Sequence, residues 1–230
     1  MKKIILFSIG LLSSINILTA QDHSKMLPQE WISTISRNKG FNFVKHENIE
    51  GSPYNNLLFF PADISGLDFE IMGRYNEESD QIEIQTEDKK IFMLPKDNKY
   101  NSIFINLINY KLILVNYKVN TNTIINGYLV EISKTNNFSL LRRDKTIVKP
   151  EKQPKTGYDK YQPAKFIKAN KEYYLGLSDN TVIPMPNNKK QIQQIYPNKT
   201  GEINTFFKTT NYSFKEETDL ISIVNFISTL

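Results

Sequence analysis

The sequence predicts an α+β protein: a mostly antiparallel β-sheet or partly open barrel, followed by three short C-terminal helices. Three observations carry that expectation. Between Phe41 and Met185, short runs of β-branched and aromatic residues are separated by polar turns, the pattern of strands rather than helices. Up to Val148 the gaps between these runs are short of the roughly dozen residues that a parallel crossover needs. From Asn188 onward the apolar spacing becomes helical.

The N-terminal region is read first because it bears on what folds. Lys2 and Lys3 precede an apolar stretch from Ile4 to Leu18, softened by Ser8, Ser13, Ser14 and Asn16, and Ala20 stands before Gln21. That is the arrangement of a secretory signal peptide over residues 1–20. Its polar side chains, and a length below the roughly 20 apolar residues of a membrane span, argue against a retained anchor. The mature chain is expected to begin near Gln21, to be periplasmic or extracellular, and to carry no stable membrane insertion. Beyond it the sequence divides into a β-rich body (21–149), a surface loop (150–163) and closing strands with a helical region (164–230).

Met26, Trp31, Ile32 and Ile35 sit at spacings a short helix over Met26–Arg37 would use, with Pro28 in its first turn. Trp31 is expected to pack against the first strands. Strand candidates then follow at Leu67–Tyr75, Gln81–Gln85, Ile91–Leu94, Ser102–Asn106, Leu112–Lys118, Ile124–Ser133 and Phe138–Val148. Turns are expected at Asn76–Ser79, Glu87–Lys89, Asn120–Asn122 and Lys134–Asn137. Pro150, Pro154, Gly157 and Pro163 mark a long surface loop. After it, Ala164–Lys168 and Glu172–Leu177 look like a hairpin-like pair, followed by Thr181–Met185.

Asn188 and Gln191 have capping-box spacing before Ile192, Ile195 and Tyr196, and Pro197 closes that helix. Thr200–Thr210 carries Ile203, Phe206 and Phe207 on one face. Ser213 and Glu216 suggest a second capping box ahead of Leu220, Ile223, Val224 and Ile227, whose i, i+3, i+4, i+7 spacing makes an apolar stripe expected to pack on the sheet.

Composition excludes much chemistry. There is no cysteine, which removes disulfides, thiolate nucleophiles, Cys-based metal sites and a lipoprotein anchor. The only histidines are His23 and His46, too few for a His-centred site. GxSxG, HExxH, GxxxxGK[ST] and strand-borne GxGxxG signatures are missing. The run Asn76, Glu77, Glu78, Asp80 lacks calcium-loop spacing and a closing Glu. No cofactor or metal is therefore expected. Glu47, Glu50, Asp68, Glu70, Glu83 and Glu131 leave a carboxylate-based, carbohydrate-active hydrolase as the alternative function.

The formal charge is +5, from 29 basic and 24 acidic residues; without Lys2 and Lys3 it falls to +3. That modest balance, with export, argues against nucleic acid. One basic region stands out: ten Lys or Arg between Arg142 and Lys171, against Asp144, Glu151 and Asp159. Arg142, Arg143, Lys152, Lys155, Tyr158 and Tyr161 are the candidate partner-binding residues, for an envelope protein or a glycan.

Gly51-Ser52-Pro53-Tyr54-Asn55 is the most distinctive local sequence. Pro53 keeps Ser52 out of the helical region, so the segment is expected to enter the sheet as an extended or turn element, with Tyr54 needing a hydroxyl partner if buried. With Gly73-Arg74-Tyr75-Asn76, Asp80-Gln81-Ile82-Glu83, Pro163-Ala164-Lys165-Phe166 and Tyr173-Tyr174-Leu175, the pattern resembles a family of exported Bacteroidota proteins of unknown function. The resemblance implies export, a β-rich body and a helical end, and brings no catalytic residues. The expected function is a non-enzymatic envelope or secreted binding or structural protein.

Overall fold

The computed structural model describes residues 49–119, 123–156, 158–179 and 181–230. The signal-peptide region, the helix expected over Met26–Arg37, both histidines, Glu47 and the Asn120–Asn122 turn lie outside the described residues. Within them, the strands are β1 (Phe60–Ile64), β2 (Ile71–Asn76), β3 (Gln81–Gln85), β4 (Ile91–Met93), β5 (Ser102–Ile105), β6 (Tyr110–Lys118), β7 (Ile124–Lys134), β8 (Phe138–Arg143), β9 (Thr146–Lys149), β10 (Lys165–Lys168), β11 (Glu172–Leu177) and β12 (Val182–Pro184). The helices are α1 (Lys189–Ile195), α2 (Thr200–Thr209) and α3 (Glu217–Ile227).

Ten strands form one open antiparallel sheet in the order β12-β11-β8-β7-β6-β5-β1-β2-β3-β4, and β9 pairs with β10 in a separate ribbon. The half of the sheet from β4 to β7 curls around one apolar cluster, in which Ala62, Ile82, Ile84, Ile103 and Leu112 are fully buried. Its two ends meet through side chains, not through a continuous ladder. β8 pairs with β7 only from Val130 onward, so the first half of β7 is an edge that needs capping. Asp80, in the β2–β3 turn, supplies the cap: Oδ1 accepts from Tyr128 N–H at 3.1 Å and Tyr75 O–H at 2.8 Å. Lys96 Nζ donates to the Asn126 carbonyl at 3.3 Å and pairs with Asp80 Oδ2 at 2.6 Å. A Cβ at Gly127 would stand 2.6 Å from that same Oδ2, so this closure requires a residue with no side chain.

The other half of the sheet buries both faces. On one, Leu140 and Leu175 meet Ile192, Ile203, Leu220, Ile223, Val224 and Ile227 of the three helices, the apolar stripe expected from the sequence. On the other, β12 folds back over β6 and Val182 packs with Tyr117, Leu129, Leu141 and Tyr174. Between β7 and β8 the register shifts: Glu131 pairs with Leu141 but Ser133 with Leu140, so Ile132 is an extra, bulged residue.

Several expectations shift in detail. Residues 67–70 precede β2 rather than belonging to it, and β1 is a further strand in which Pro61 pairs with Met72 of β2 while the β5 ladder begins only at Ala62. The Phe138–Val148 run divides: Asp144 bonds back to Arg142 and Tyr110, and the chain leaves the main sheet for the ribbon. Ala164–Lys168 and Glu172–Leu177 are therefore no hairpin; the first pairs with β9 and the second with β8. At α1, Asn188 Oδ1 accepts from Gln191 N–H at 3.0 Å, while Gln191 Oε1 accepts from Asn187 N–H, one residue outside the expected box. Ser213 caps no helix. Its N–H donates to Asp219 Oδ2 at 2.8 Å, and α3 starts after Glu216.

Candidate binding surfaces

The β9–β10 ribbon is an excursion between β8 and β11, tied at its base by Ala169 N–H to the Lys145 carbonyl at 2.8 Å. The expected loop over 150–163 prolongs it: Lys152 and Gln162 exchange backbone hydrogen bonds at 2.8 and 3.1 Å. The result is an extended arm. Asp159 Oδ2 accepts from the backbone N–H groups of Lys155 and Thr156, and Tyr161 O–H donates to Glu151 Oε2 at 2.8 Å. Tyr158 at the tip is 100% exposed and Tyr161 50%, with Ile147 and Val148 partly exposed along the ribbon.

The arm is fastened to the body through a buried carboxylate. Glu77 is 4% exposed, and its Oε2 accepts from Thr146 Oγ1 at 2.8 Å and from Lys168 Nζ. Lys168 also donates to the Tyr54 carbonyl at 3.1 Å. The distinctive Gly51–Asn55 segment completes the junction: Glu50 bridges to Lys165 of β10, and Tyr54 to Asn76 at the end of β2. Tyr54 finds its expected partner, Glu83 Oε1 at 3.2 Å. Glu83, 1% exposed, takes two donors from Arg74 on Oε2, at 2.8 and 2.6 Å. The guanidinium lies 3.7 Å from the Tyr54 ring centre and 4.2 Å from that of Phe59, a stacked geometry that suits Arg's planar charge. Burial, then the Glu83 charge, raises the Tyr54 phenol above its ordinary value.

The six candidate residues divide into two groups. Lys152, Lys155, Tyr158 and Tyr161 stand together on the exposed arm. Arg142 and Arg143 are in β8, point to opposite faces, and have side chains only 13% and 18% exposed. Arg142 holds Asp144 through two bonds of 2.6 and 2.7 Å and reaches Glu217 of α3 at 2.6 Å. Arg143 pairs with Glu172 at 3.0 Å. They bind this protein to itself. Burial opposes the charge of Glu217, but hydrogen bonds and the charge of Arg142 outweigh it and hold the carboxyl below its ordinary value.

A cavity of about 440 Å³ lies beneath β12, on the face opposite the helices. Ile113, Val115, Leu141 and Val182 give it an apolar floor, and its charged lining residues are Lys111, Glu131 and Lys134. Lys111 and Glu131 pair at 2.7 Å. A second hollow of about 440 Å³ at the β2–β3 end is lined by Glu70 and Glu87; Glu70 accepts from Asn106 Nδ2 at 2.6 Å. Among the carboxylates considered for hydrolysis, Glu83, Glu131 and Glu70 thus accept from Arg74, Lys111 and Asn106. Glu131 is legible as a strand carboxylate, whereas Lys111 reaches it only through cross-strand register and Lys134 joins its face only through the β7 bulge.

The fold and these surfaces define an α+β protein with an open ten-stranded antiparallel sheet and an inserted two-stranded arm. Neither a protein-family model, nor a curated protein, nor a solved structure matches the chain.

Proposed function

We propose that this chain is an exported, non-enzymatic binding protein that engages an anionic glycan of the cell envelope through the β9–β10 arm. The observation that carries the reading is the tip: Tyr158, fully exposed, stands in sequence among Lys152, Lys155 and Lys160, with Tyr161 beside them. Two aromatic rings exposed on one arm, Tyr158 and Tyr161, are a candidate contact surface, and lysines around them favour an acidic partner. Export is supported by the pattern of residues 1–20 and by the resemblance to exported proteins; no described helix is long and apolar enough to cross a membrane. The absence of the common catalytic signatures from the sequence supports a binding role over an enzymatic one.

The test is a titration of the protein with dextran sulfate and with uncharged dextran at two salt concentrations. Binding should be specific to the sulfated polymer and should weaken with salt, because exposed charges are screened. The combined Lys152→Gln, Lys155→Gln, Tyr158→Ser variant should lose about tenfold in affinity, equivalent to about 1.4 kcal/mol. Equal binding of both polymers, or an unchanged affinity in the variant, would remove the arm from the function.

A further inference from the structure

We infer that the cavity beneath β12 is a binding site for a small polyhydroxylated monoanion, the chemistry of a uronic acid or a single acidic sugar unit. The inference rests on the cavity alone and stands independently of the arm.

The first observation is the β7 bulge. In a regular strand Glu131 and Ser133 would share one face and Lys134 would take the other. The extra residue Ile132 breaks the alternation: Glu131 sits opposite Leu141 and Lys134 opposite Ser139, and Glu131, Lys134, Ser139 and Leu141 all line the cavity while Ser133 does not. An irregularity that costs ladder pairing thus brings a carboxylate and an ammonium to one wall, three residues apart. Bulges concentrate where a side chain must be re-aimed.

The second observation is the space itself. Gly176 lies opposite Ser139 across the β8–β11 pair, and a Cβ there would come within 2.3 Å of Ser139 Oγ. Glycine at this position makes room for the Ser139 side chain, which lines the cavity beside it. The rim is also shaped: Thr135 Oγ1 accepts from Phe138 N–H at 3.0 Å, and Thr135 N–H donates to the Phe138 carbonyl at 2.8 Å. This pins the turn that presents Asn136 and Asn137 to the opening.

The lining selects the ligand class. Two ammonium groups against one carboxylate leave the site one positive charge in excess, so a monoanion balances it and a neutral sugar does not. Because Glu131 is engaged by Lys111, Lys134 is the cation available to a ligand carboxylate. Glu131, an acceptor with lone pairs to spare, and the Ser139, Asn136 and Asn137 side chains suit sugar hydroxyls. The floor of Ile113, Val115, Leu141 and Val182 suits the apolar face of a pyranose ring. A volume of about 440 Å³ falls within the range of small-molecule sites, roughly 300–1,000 Å³.

The experiment is an NMR titration of the full-length protein with D-galacturonate, and separately with D-galactose. Saturable shifts are expected with galacturonate, clustered on β7, β8 and β12, with galactose at least tenfold weaker. Lys134→Gln should weaken galacturonate about tenfold and leave galactose unchanged; Lys134 is exposed, and an unchanged thermal transition will show that folding is intact. The triple arm variant should bind galacturonate as the parent does. No saturation by galacturonate, equal affinity for galactose, indifference to Lys134→Gln, or loss of binding in the arm variant would each overturn the site.

Discussion

At the residue scale, the stability of the first half of the sheet turns on how individual tyrosines end. Tyr75 and Tyr128 lie edge to face with ring centres 6.2 Å apart, both at most 3% exposed, yet only one hydroxyl is satisfied. Tyr75 donates to Asp80 at 2.8 Å, whereas the Tyr128 hydroxyl is buried with no hydrogen-bond partner among the described residues. A buried polar group without a partner carries its full desolvation cost, on the order of 1–3 kcal/mol. Tyr128→Phe should therefore be neutral or stabilising by about 1 kcal/mol. Tyr75→Phe should destabilise by a similar amount, because it takes a donor from the carboxylate that caps the β7 edge. Urea unfolding of the two single variants checks this, and a clear loss in Tyr128→Phe would mean that the hydroxyl has a partner in solution.

At the scale of elements, the arm and the body are held by different forces. The arm has exposed apolar residues, backbone pairing and one buried anchor, Glu77 with Thr146 and Lys168, while the three apolar clusters are built without its tip. Replacing residues 151–162 by a two-residue Asn-Gly turn, which suits a tight hairpin, should leave the unfolding free energy within about 0.5 kcal/mol of the parent. The sulfated-polymer affinity should fall away. A large drop in the thermal transition would show that the tip supports the fold. The same contrast explains what could be read from the sequence. Strand β3 was legible to its ends because Ile82 and Ile84 alternate with polar neighbours, and α3 because Leu220, Ile223, Val224 and Ile227 repeat at helical spacing. These are local patterns set by one buried face. The departure of β9 from the sheet, the pairing of β11 with β8 and the Ile132 bulge are long-range choices that no local period encodes. Arg142 and Arg143 illustrate the same limit at the candidate site: their charge was visible, but Asp144, Glu217 and Glu172, which occupy them, come from the next turn, from α3 and from β11.

For the molecule as a whole, buried phenols join the clusters, and they set its response to alkali. Tyr75, Tyr110 and Tyr128 belong to the core of the first half of the sheet, and Tyr117 and Tyr174 to the cluster under β12, where their rings meet edge to face at 4.9 Å. Burial raises all five phenols above their ordinary value, and carboxylates at their edges push in the same direction: Asp80 for Tyr75 and Tyr128, Asp144 for Tyr110, Glu172 for Tyr174. For Tyr117 the Arg143 charge opposes burial without cancelling it. Tyr173, at the α3 junction, is pushed up to about 12, by burial first and then by its bond to Glu217. A group whose folded pKa is raised stabilises the fold fully below its unfolded value, about 10 for tyrosine, and that stability is lost as pH rises toward the folded value. The five buried phenols titrate in two of the three apolar clusters, so their loss should be cooperative and should take the sheet with it. Stability to urea should be flat from neutrality to about pH 9.5 and fall steeply above pH 10, with tyrosinate absorbance rising in step with the loss of far-ultraviolet circular dichroism. If the phenols ionised completely while the circular dichroism remained native, they would be reaching solvent without unfolding, and the two clusters would have to be far looser than their packing implies.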